Sequence, residues 1–216
     1  MFLKLRMRIK SLSNTYHWVN RMNIFVLDEN PKTSARMMID KHVVKMPTES
    51  MQMISTITNH LGFDSPYKPV MLNHPSTIWA RESQDNFQWL LDHCGALCEE
   101  FNLRYDNTHS VELTLNENYD TFMKVKSHLP NIGLTPFAIA ISPNMNCRKL
   151  PNFEDLNTVE KYQQYYLEDK WKFASWKLGK PSWWPNDHIQ KKDQEWNDWL
   201  ESENERIRRI NNGYTH

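Results

Sequence analysis

Apolar residues recur at helical spacing through much of this chain, and this periodicity constrains the fold more than any other feature. Between residues 33 and 60 they stand at Met37, Met38, Val44, Met51, Ile54 and Ile57. Spacings of three and four residues put such side chains on one face of an α-helix. Further helices are predicted at 75–105, 116–128, 157–177 and 187–210. The sequence therefore predicts an all-α fold, a mostly helical single domain with a short N-terminal extended segment.

Proline and turn-forming residues separate these stretches. They predict loops at 62–74 and 106–115, an irregular segment at 129–151 and an aromatic turn at 179–185. Pro47 lies inside the first predicted helix, where it should kink or restart that helix because it lacks an amide hydrogen.

The first 21 residues differ in composition from the rest. They carry five basic residues and no acid, and Met22 then begins an apolar, strand-like run that ends at the turn formers Asp28, Asn30 and Pro31. We predict that residues 1–21 are a basic N-terminal extension, either a disordered arm or the product of an alternative start codon. Residues 22–216 are predicted to form one helical domain, so deleting 1–21 should leave the melting temperature nearly unchanged.

Glycine usage excludes several classes of enzyme. The two closest of the five glycines, Gly62 and Gly95, are more than thirty residues apart. Phosphate-binding loops need two or three glycines within a few residues, because the backbone must approach the phosphate closely. Kinases, P-loop NTPases and dinucleotide-binding proteins are therefore excluded.

Cysteine usage and hydropathy indicate a cytoplasmic protein. Three cysteines suit a reducing compartment, and no apolar stretch is long enough for a membrane helix. Cys94 and Cys98, beside His93, are spaced as half a metal site. No second pair completes a zinc pattern, so small buried helix residues are the favoured interpretation and no metal is predicted.

The charge of the chain is balanced overall but uneven. There are 26 basic and 26 acidic residues, and the five bases before Met22 leave the remainder with an excess of five acids. This excess counts against an indiscriminate nucleic-acid binder and leaves room for a local basic groove.

The first candidate site lies on the helix predicted at 33–60. His42, Lys45 and Glu49 share one face of an unbroken helix, and Lys41, Lys45 and Glu49 form a second stripe. An amine beside a carboxylate suits imine chemistry, in which the amine attacks and the carboxylate moves protons. The alternative is an exposed face of paired lysine and glutamate.

Two further groups suit nucleic-acid binding. Arg81 lies seven residues after His74, with Asn86 on the same helix, and could hold a phosphate or a carboxylate; the alternative is a capped helix with a mixed face. Trp183 and Trp184 follow Lys177 and Lys180, a pattern in which rings stack on bases and lysines hold phosphates. The alternative is that these rings lie in the core.

The order of these motifs resembles that of small tailed-bacteriophage proteins labelled pyrimidine dimer DNA glycosylases, of the endonuclease V type. A short apolar run precedes an Asp-x-His helix, here Asp40-Lys41-His42, with Glu49 seven residues after the histidine. A long second helix follows, and a Pro-x-Trp-aromatic segment, here 181–184, lies near the end. The resemblance covers most of residues 22–185.

The resemblance implies an all-helical, cofactor-free enzyme that removes a base and then cuts the strand. In that family the N-terminal α-amine attacks the sugar C1′ and a helix glutamate assists. Here Glu49 would be that glutamate, Met22 or Lys45 would supply the amine, and His42 would contact DNA. Trp183 and Trp184 would lie near the lesion. The expected setting is the cytoplasm of an infected host cell.

The sequence departs from that family at the amine. Twenty-two residues precede Asn23, and Pro47, Thr48, Ser50 and Met51 stand around Glu49 where the family has arginines. Two other functions therefore stay open. One is an enzyme acting on nucleotides or modified bases, and the other is a non-catalytic protein that binds a host partner through its aromatic surface.

Overall fold

The computed structural model describes the backbone of residues 22–213 and the side chains of residues 22–210. Eight α-helices and no β-strand occur within this range, so the predicted all-α fold is confirmed. The helices are α1 (Pro31–Met37), α2 (Asp40–His60), α3 (Pro75–Ala80), α4 (Gln84–Tyr105), α5 (Ser110–Glu117), α6 (Tyr119–Ser127), α7 (Thr158–Tyr165) and α8 (His188–Gly213). The predicted extension, residues 1–21, lies outside the described residues. No described helix is long and apolar enough to cross a membrane.

The core forms where α2 and α1 pack on the long helix α4. The strand-like run predicted before α1 forms no β-strand in the described structure, but it is buried, with Ile24, Val26 and Leu27 fully enclosed. Ser34 on α1 ties this segment down, because its hydroxyl accepts from the Leu27 amide and donates to the Phe25 carbonyl. The first residues of the domain are thereby fixed to α1.

The helix predicted at 33–60 is two helices, and the break is at Met38 and Ile39 rather than at Pro47. The expected restart at Pro47 is wrong, since α2 continues through it. Pro47 is buried against α4, where the Cys94 thiol donates to its carbonyl. Packing along α2 therefore outweighs the backbone hydrogen bond that the proline cannot make.

Three other predicted boundaries differ from the structure. The predicted helix 75–105 is interrupted after α3, where the Ser83 hydroxyl caps α4. The predicted loop 106–115 contains the start of α5, which the His109 ring caps. The predicted helix 157–177 is regular only to Tyr165 and continues as the π-helical turn Tyr166–Lys170 and the 3₁₀ turn Trp171–Phe173. Polar capping groups inside apolar patterns produced each of the first two breaks.

His93 on α4 is fully buried, and neither ring nitrogen has a hydrogen-bond partner among the described residues. The ring stacks on Trp89 at 4.7 Å between centroids. Burial lowers the pKa of His93 from 6.5 to about 3. The imidazole is therefore neutral in the folded protein at pH 7.

This buried histidine predicts a loss of stability in acid. Below about pH 6.5 His93 is protonated in the unfolded chain but stays neutral in the folded protein. The stability that is present above pH 6.5 is therefore lost as the pH falls toward 3. Between pH 7 and pH 5 the expected loss from this residue is about 2 kcal/mol. His93→Phe keeps the ring stack and removes the titration. Urea unfolding of both proteins at several pH values should give a flatter pH dependence for the variant, and parallel curves would contradict the prediction.

Candidate active site

Glu49 lies at the centre of the candidate site, and α2 directs it toward the start of the domain. The side chain is mostly buried. One carboxylate oxygen accepts from the backbone amide of Asn23 at 3.2 Å, and the other lies 2.5 Å from the amine of Lys45. The carboxylate therefore bridges a lysine one helical turn away and the backbone nitrogen of Asn23.

Asn23 fixes the backbone on which this contact depends. Its side-chain oxygen accepts from the amides of Ile24 and Phe25 at 2.8 and 3.0 Å, and its amide nitrogen donates to the Ala140 carbonyl. Phe25 consequently has φ of 41°, in the left-handed region that is costly for an aromatic residue. Such strain persists only where surrounding contacts hold it, and it concentrates at functional sites.

Aromatic rings form one wall of the site beside Glu49. The Phe25 ring stacks on His42 at 4.2 Å between centroids, and Nδ1 of His42 lies 2.6 Å from the hydroxyl of Tyr166. Burial, then the positive charges of Lys170 and Lys45, lower the pKa of His42, while burial raises the pKa of Tyr166. A protonated phenol facing a neutral imidazole favours donation from Tyr166 to Nδ1, with the ring proton on Nε2.

The buried position of His42 leaves little of it for DNA. The side chain is 8% exposed and is held by Phe25 and Tyr166. Among the residues assigned to catalysis, Met22 is also buried, whereas Lys45 keeps more than half of its side chain in solvent. Lys45 is therefore the accessible amine beside Glu49.

Lys170 is a part of this site that spacing along the helix predicted at 33–60 does not predict. It ends the π-helical turn, and its amine lies over the rings of Tyr165, Phe173 and Phe25 at 4.4, 5.8 and 6.0 Å. Among the described residues it makes no hydrogen bond or ion pair. Burial is the main reason that the pKa of Lys170 is lowered, and the charge of Lys45 acts in the same direction. π-Helical turns are rare in proteins, and those that occur are often found at functional sites. Apolar periodicity in the sequence does not predict them.

The other predicted lysines lie on exposed surface. The amine of Lys41 stacks over Phe173 at 4.9 Å, on a ring that Lys170 also approaches. Lys177 stacks over Tyr105 at 4.0 Å, and its backbone amide donates to Asp40 at the start of α2. Lys180 is exposed nearby in sequence. These contacts place positive charge beside the N-terminal end of α2.

Trp183 and Trp184 differ in burial although they are adjacent. Trp184 is 4% exposed and packs edge-on against Trp176 and His188. Trp183 is half-buried, with its indole N–H directed at the sulfur of Met37. Its ring approaches Tyr166 at 6.3 Å, which links it to the wall formed by His42.

His74, Arg81 and Asn86 have contacts of their own around α3 and the start of α4. The His74 ring caps α3, Arg81 donates to the Leu72 carbonyl, and burial lowers the pKa of His74. Asn86 is fully buried, donating to Trp79 and Thr135 and accepting from the Thr135 amide. The hydrogen-bonding groups of Asn86 are thus occupied within the fold.

Metal ligands do not converge in the described part of the chain, where no group of three His, Cys, Asp or Glu side chains could hold an ion. Cys94 and Cys98 are buried and unoxidised on α4. Their hydrogen bond and burial raise the pKa of Cys94. This agrees with the interpretation of these two cysteines as small core residues.

The fold is helical, and its candidate site pairs the buried carboxylate of Glu49 with the amine of Lys45, beside the aromatic rings of Phe25, His42 and Tyr166. The sequence profile of the pyrimidine dimer DNA glycosylase family matches residues 22–113. The resemblance to that family is thus confirmed over this region, which contains Asn23, His42, Lys45 and Glu49. Lys170 and Trp183 lie outside it. No curated protein and no solved structure matches the chain.

Proposed function

We propose that this protein is a DNA glycosylase for pyrimidine dimers that also cleaves the strand at the resulting abasic site. The observation that carries the proposal is the position of Glu49, whose carboxylate contacts both the Lys45 amine and the Asn23 nitrogen. The family match over the same residues supports it. Damaged or modified pyrimidines other than dimers are a further proposed substrate class.

The proposed reaction begins with attack of an unprotonated amine on the sugar C1′. The bond from C1′ to the base nitrogen breaks, the base leaves with the electron pair, and the amine loses a proton to Glu49. Ring opening at O4′ then gives an imine, and loss of a C2′ proton expels the 3′ phosphate. The contact between the Lys45 amine and the Glu49 carboxylate supports the assignment of these proton transfers to Glu49.

Two nitrogens can serve as the attacking amine. Lys45 is a primary amine in hydrogen-bonding contact with Glu49 and is accessible from solvent. A chain beginning at Met22 or Asn23 would instead carry an α-amine at or next to the nitrogen that now donates to Glu49. Either source would place an amine close to the Glu49 carboxylate.

Borohydride trapping distinguishes these sources. We expect the protein to form a covalent adduct with ultraviolet-irradiated DNA in borohydride, because reduction fixes the imine. Lys45→Met should abolish the adduct if the lysine is the nucleophile, whereas Lys124→Met, which changes an exposed lysine on α6 away from the site, should leave it intact. Mass mapping of the adduct to residue 22 or 23 would assign the α-amine. A folded protein that never forms an adduct would refute the imine mechanism.

The DNA is proposed to lie across the lysines around Phe173, with Trp183 at the lesion. Lys41 and Lys170 both approach that ring, and Trp183 adjoins Tyr166 in the same wall. In such a surface the lysine amines can bind phosphates, and the neighbouring aromatic rings can stack on bases. Because acidic residues outnumber basic ones in the domain as a whole, DNA should be attracted only to this local group of lysines.

Trp183 is expected to bind DNA rather than to hold the fold. Stacking on a base contributes about 1–3 kcal/mol, so Trp183→Ala should weaken binding of a lesion-containing oligonucleotide roughly tenfold or more. Trp184→Ala serves as the contrast, because the loss of a buried indole should lower stability instead. Fluorescence titration beside thermal unfolding would test this, and unchanged affinity for Trp183→Ala would contradict it.

A further inference from the structure

The C-terminal helix α8 leaves the body of the protein after its first turn. His188 contacts the Leu167 carbonyl, Ile189 packs on the core, and Lys192 pairs with Glu168. From residue 193 to residue 210 every side chain except Glu203 is exposed. Within the described part of the chain, Lys172 stacked on Trp196 is the one charge or ring contact between this stretch and the rest of the fold, and its other pairs lie within the helix. Isolated helices of such length are marginal in water.

The exposed stretch carries a heptad pattern. Trp196, Leu200, Ile207 and Ile210 are each about 40% exposed and follow one another in steps of four and three residues, with Glu203 completing the series. That spacing is the seam of a two-stranded coiled coil. Glu203 is the one polar member, and Arg206 pairs with both of its carboxylate oxygens.

The distribution of charge along α8 indicates that a second copy of this chain binds to its exposed face. Six acids lie between Asp193 and Glu205, and three bases follow at Arg206, Arg208 and Arg209. A second copy running antiparallel brings the three bases of each helix beside the first three acids of the other, from Asp193 to Asp198, and leaves the acids from Glu201 to Glu205 near the middle of the pair. A parallel copy would align like charges. In the antiparallel register that pairs Trp196 with Ile207, the ring of Trp199 also faces Arg206 of the second copy, a favourable cation–π arrangement.

We propose that α8 is a self-association surface through which two copies of this chain pair as an antiparallel coiled coil. The seam is Trp196, Leu200, Ile207 and Ile210, and the segregated charges set the direction. This proposal is independent of the glycosylase activity, since it uses no residue of the candidate active site.

The test is the mass of the full chain in solution. Sedimentation equilibrium should show a concentration-dependent dimer. Leu200→Glu with Ile207→Glu should raise its dissociation constant by a factor on the order of 100 or more, because each copy would bury two charges. Leu103→Glu with Leu113→Glu, two leucines of greater exposure on α4 and α5, is the matched control and should leave the dimer unchanged.

Direction is tested by a short bismaleimide crosslinker. Asn197→Cys should link to Asn204→Cys on a tagged second copy and should not link to itself. A chain that is monomeric at all concentrations, or a dimer that survives the two seam charges, would overturn the proposal. Self-linkage through residue 197 would overturn the antiparallel arrangement. A monomer whose seam variant loses binding to DNA or to another protein would assign the surface to that occupant instead.

Discussion

Glu49→Gln should lower glycosylase activity by at least about a hundredfold, the lower end of what a positioned acid or base contributes. Glutamine keeps the shape of the side chain and can still accept from the Asn23 amide. It cannot take a proton from the attacking amine, nor balance the charge of the iminium that forms. The measurement is base release from irradiated DNA under single-turnover conditions.

The same substitution should change stability little. Glu49 is buried but its partner Lys45 is 57% exposed, so removing the negative charge leaves no unpaired charge inside the protein, and the loss of this half-exposed pair should cost about 1 kcal/mol or less. Glu112→Gln is the matched control, because this helix glutamate also accepts a hydrogen bond, from Asn102, and has no contact with the site. Full activity in Glu49→Gln, or loss of folding with normal activity per folded molecule, would show that Glu49 is structural.

The sequence predicted the centre of the candidate site better than its surroundings. Lys45 and Glu49 are four residues apart on one helix, so helical periodicity alone brings them together. Asn23 and Lys170 reach Glu49 or its neighbours through chain reversals and a π-helical turn, which no local spacing encodes. The conformation of Phe25 depends likewise on two hydrogen bonds to the Asn23 side chain.

The helices themselves were predictable, but their ends were not. Apolar spacing marks which residues face the core, and α2 and α4 follow it. The break after α1 is instead fixed by Arg104, which lies 66 residues away in sequence from the Met38 carbonyl to which it donates. A contact of that range leaves no signal in a local pattern.

Arg104→Met should destabilise the fold by about 3–5 kcal/mol, the range for removing one partner from a buried ion pair. The guanidinium is 1% exposed and binds Asp40 at 3.0 Å and Glu100 at 2.7 Å. It also donates to the carbonyls of Met38 and Arg36 at the break between α1 and α2. Methionine retains the apolar stem and leaves two carboxylates and two carbonyls without this donor.

Chemical denaturation measures this loss of stability, and two further variants serve as a control and as a test of the cause. Lys191→Met removes an exposed i, i+4 pair with Asp187 and should leave the free energy of unfolding nearly unchanged. Adding Glu100→Gln to Arg104→Met should recover part of the loss, because it removes one unpaired buried charge. A small effect of Arg104→Met, or no recovery in the double variant, would contradict this account of the network.

The network should also matter for the candidate site, because Asp40 has a second function. Its carboxylate accepts from the Lys177 amide, and its own amide donates to the Ser175 carbonyl. These bonds join the start of α2 to the segment that leads to Trp183. Arg104→Met should therefore weaken DNA binding at temperatures where the protein is still folded. Hydrogen exchange at residues 175 to 184 should rise in the variant before global unfolding, whereas an increase confined to α4 would separate the ion network from the site.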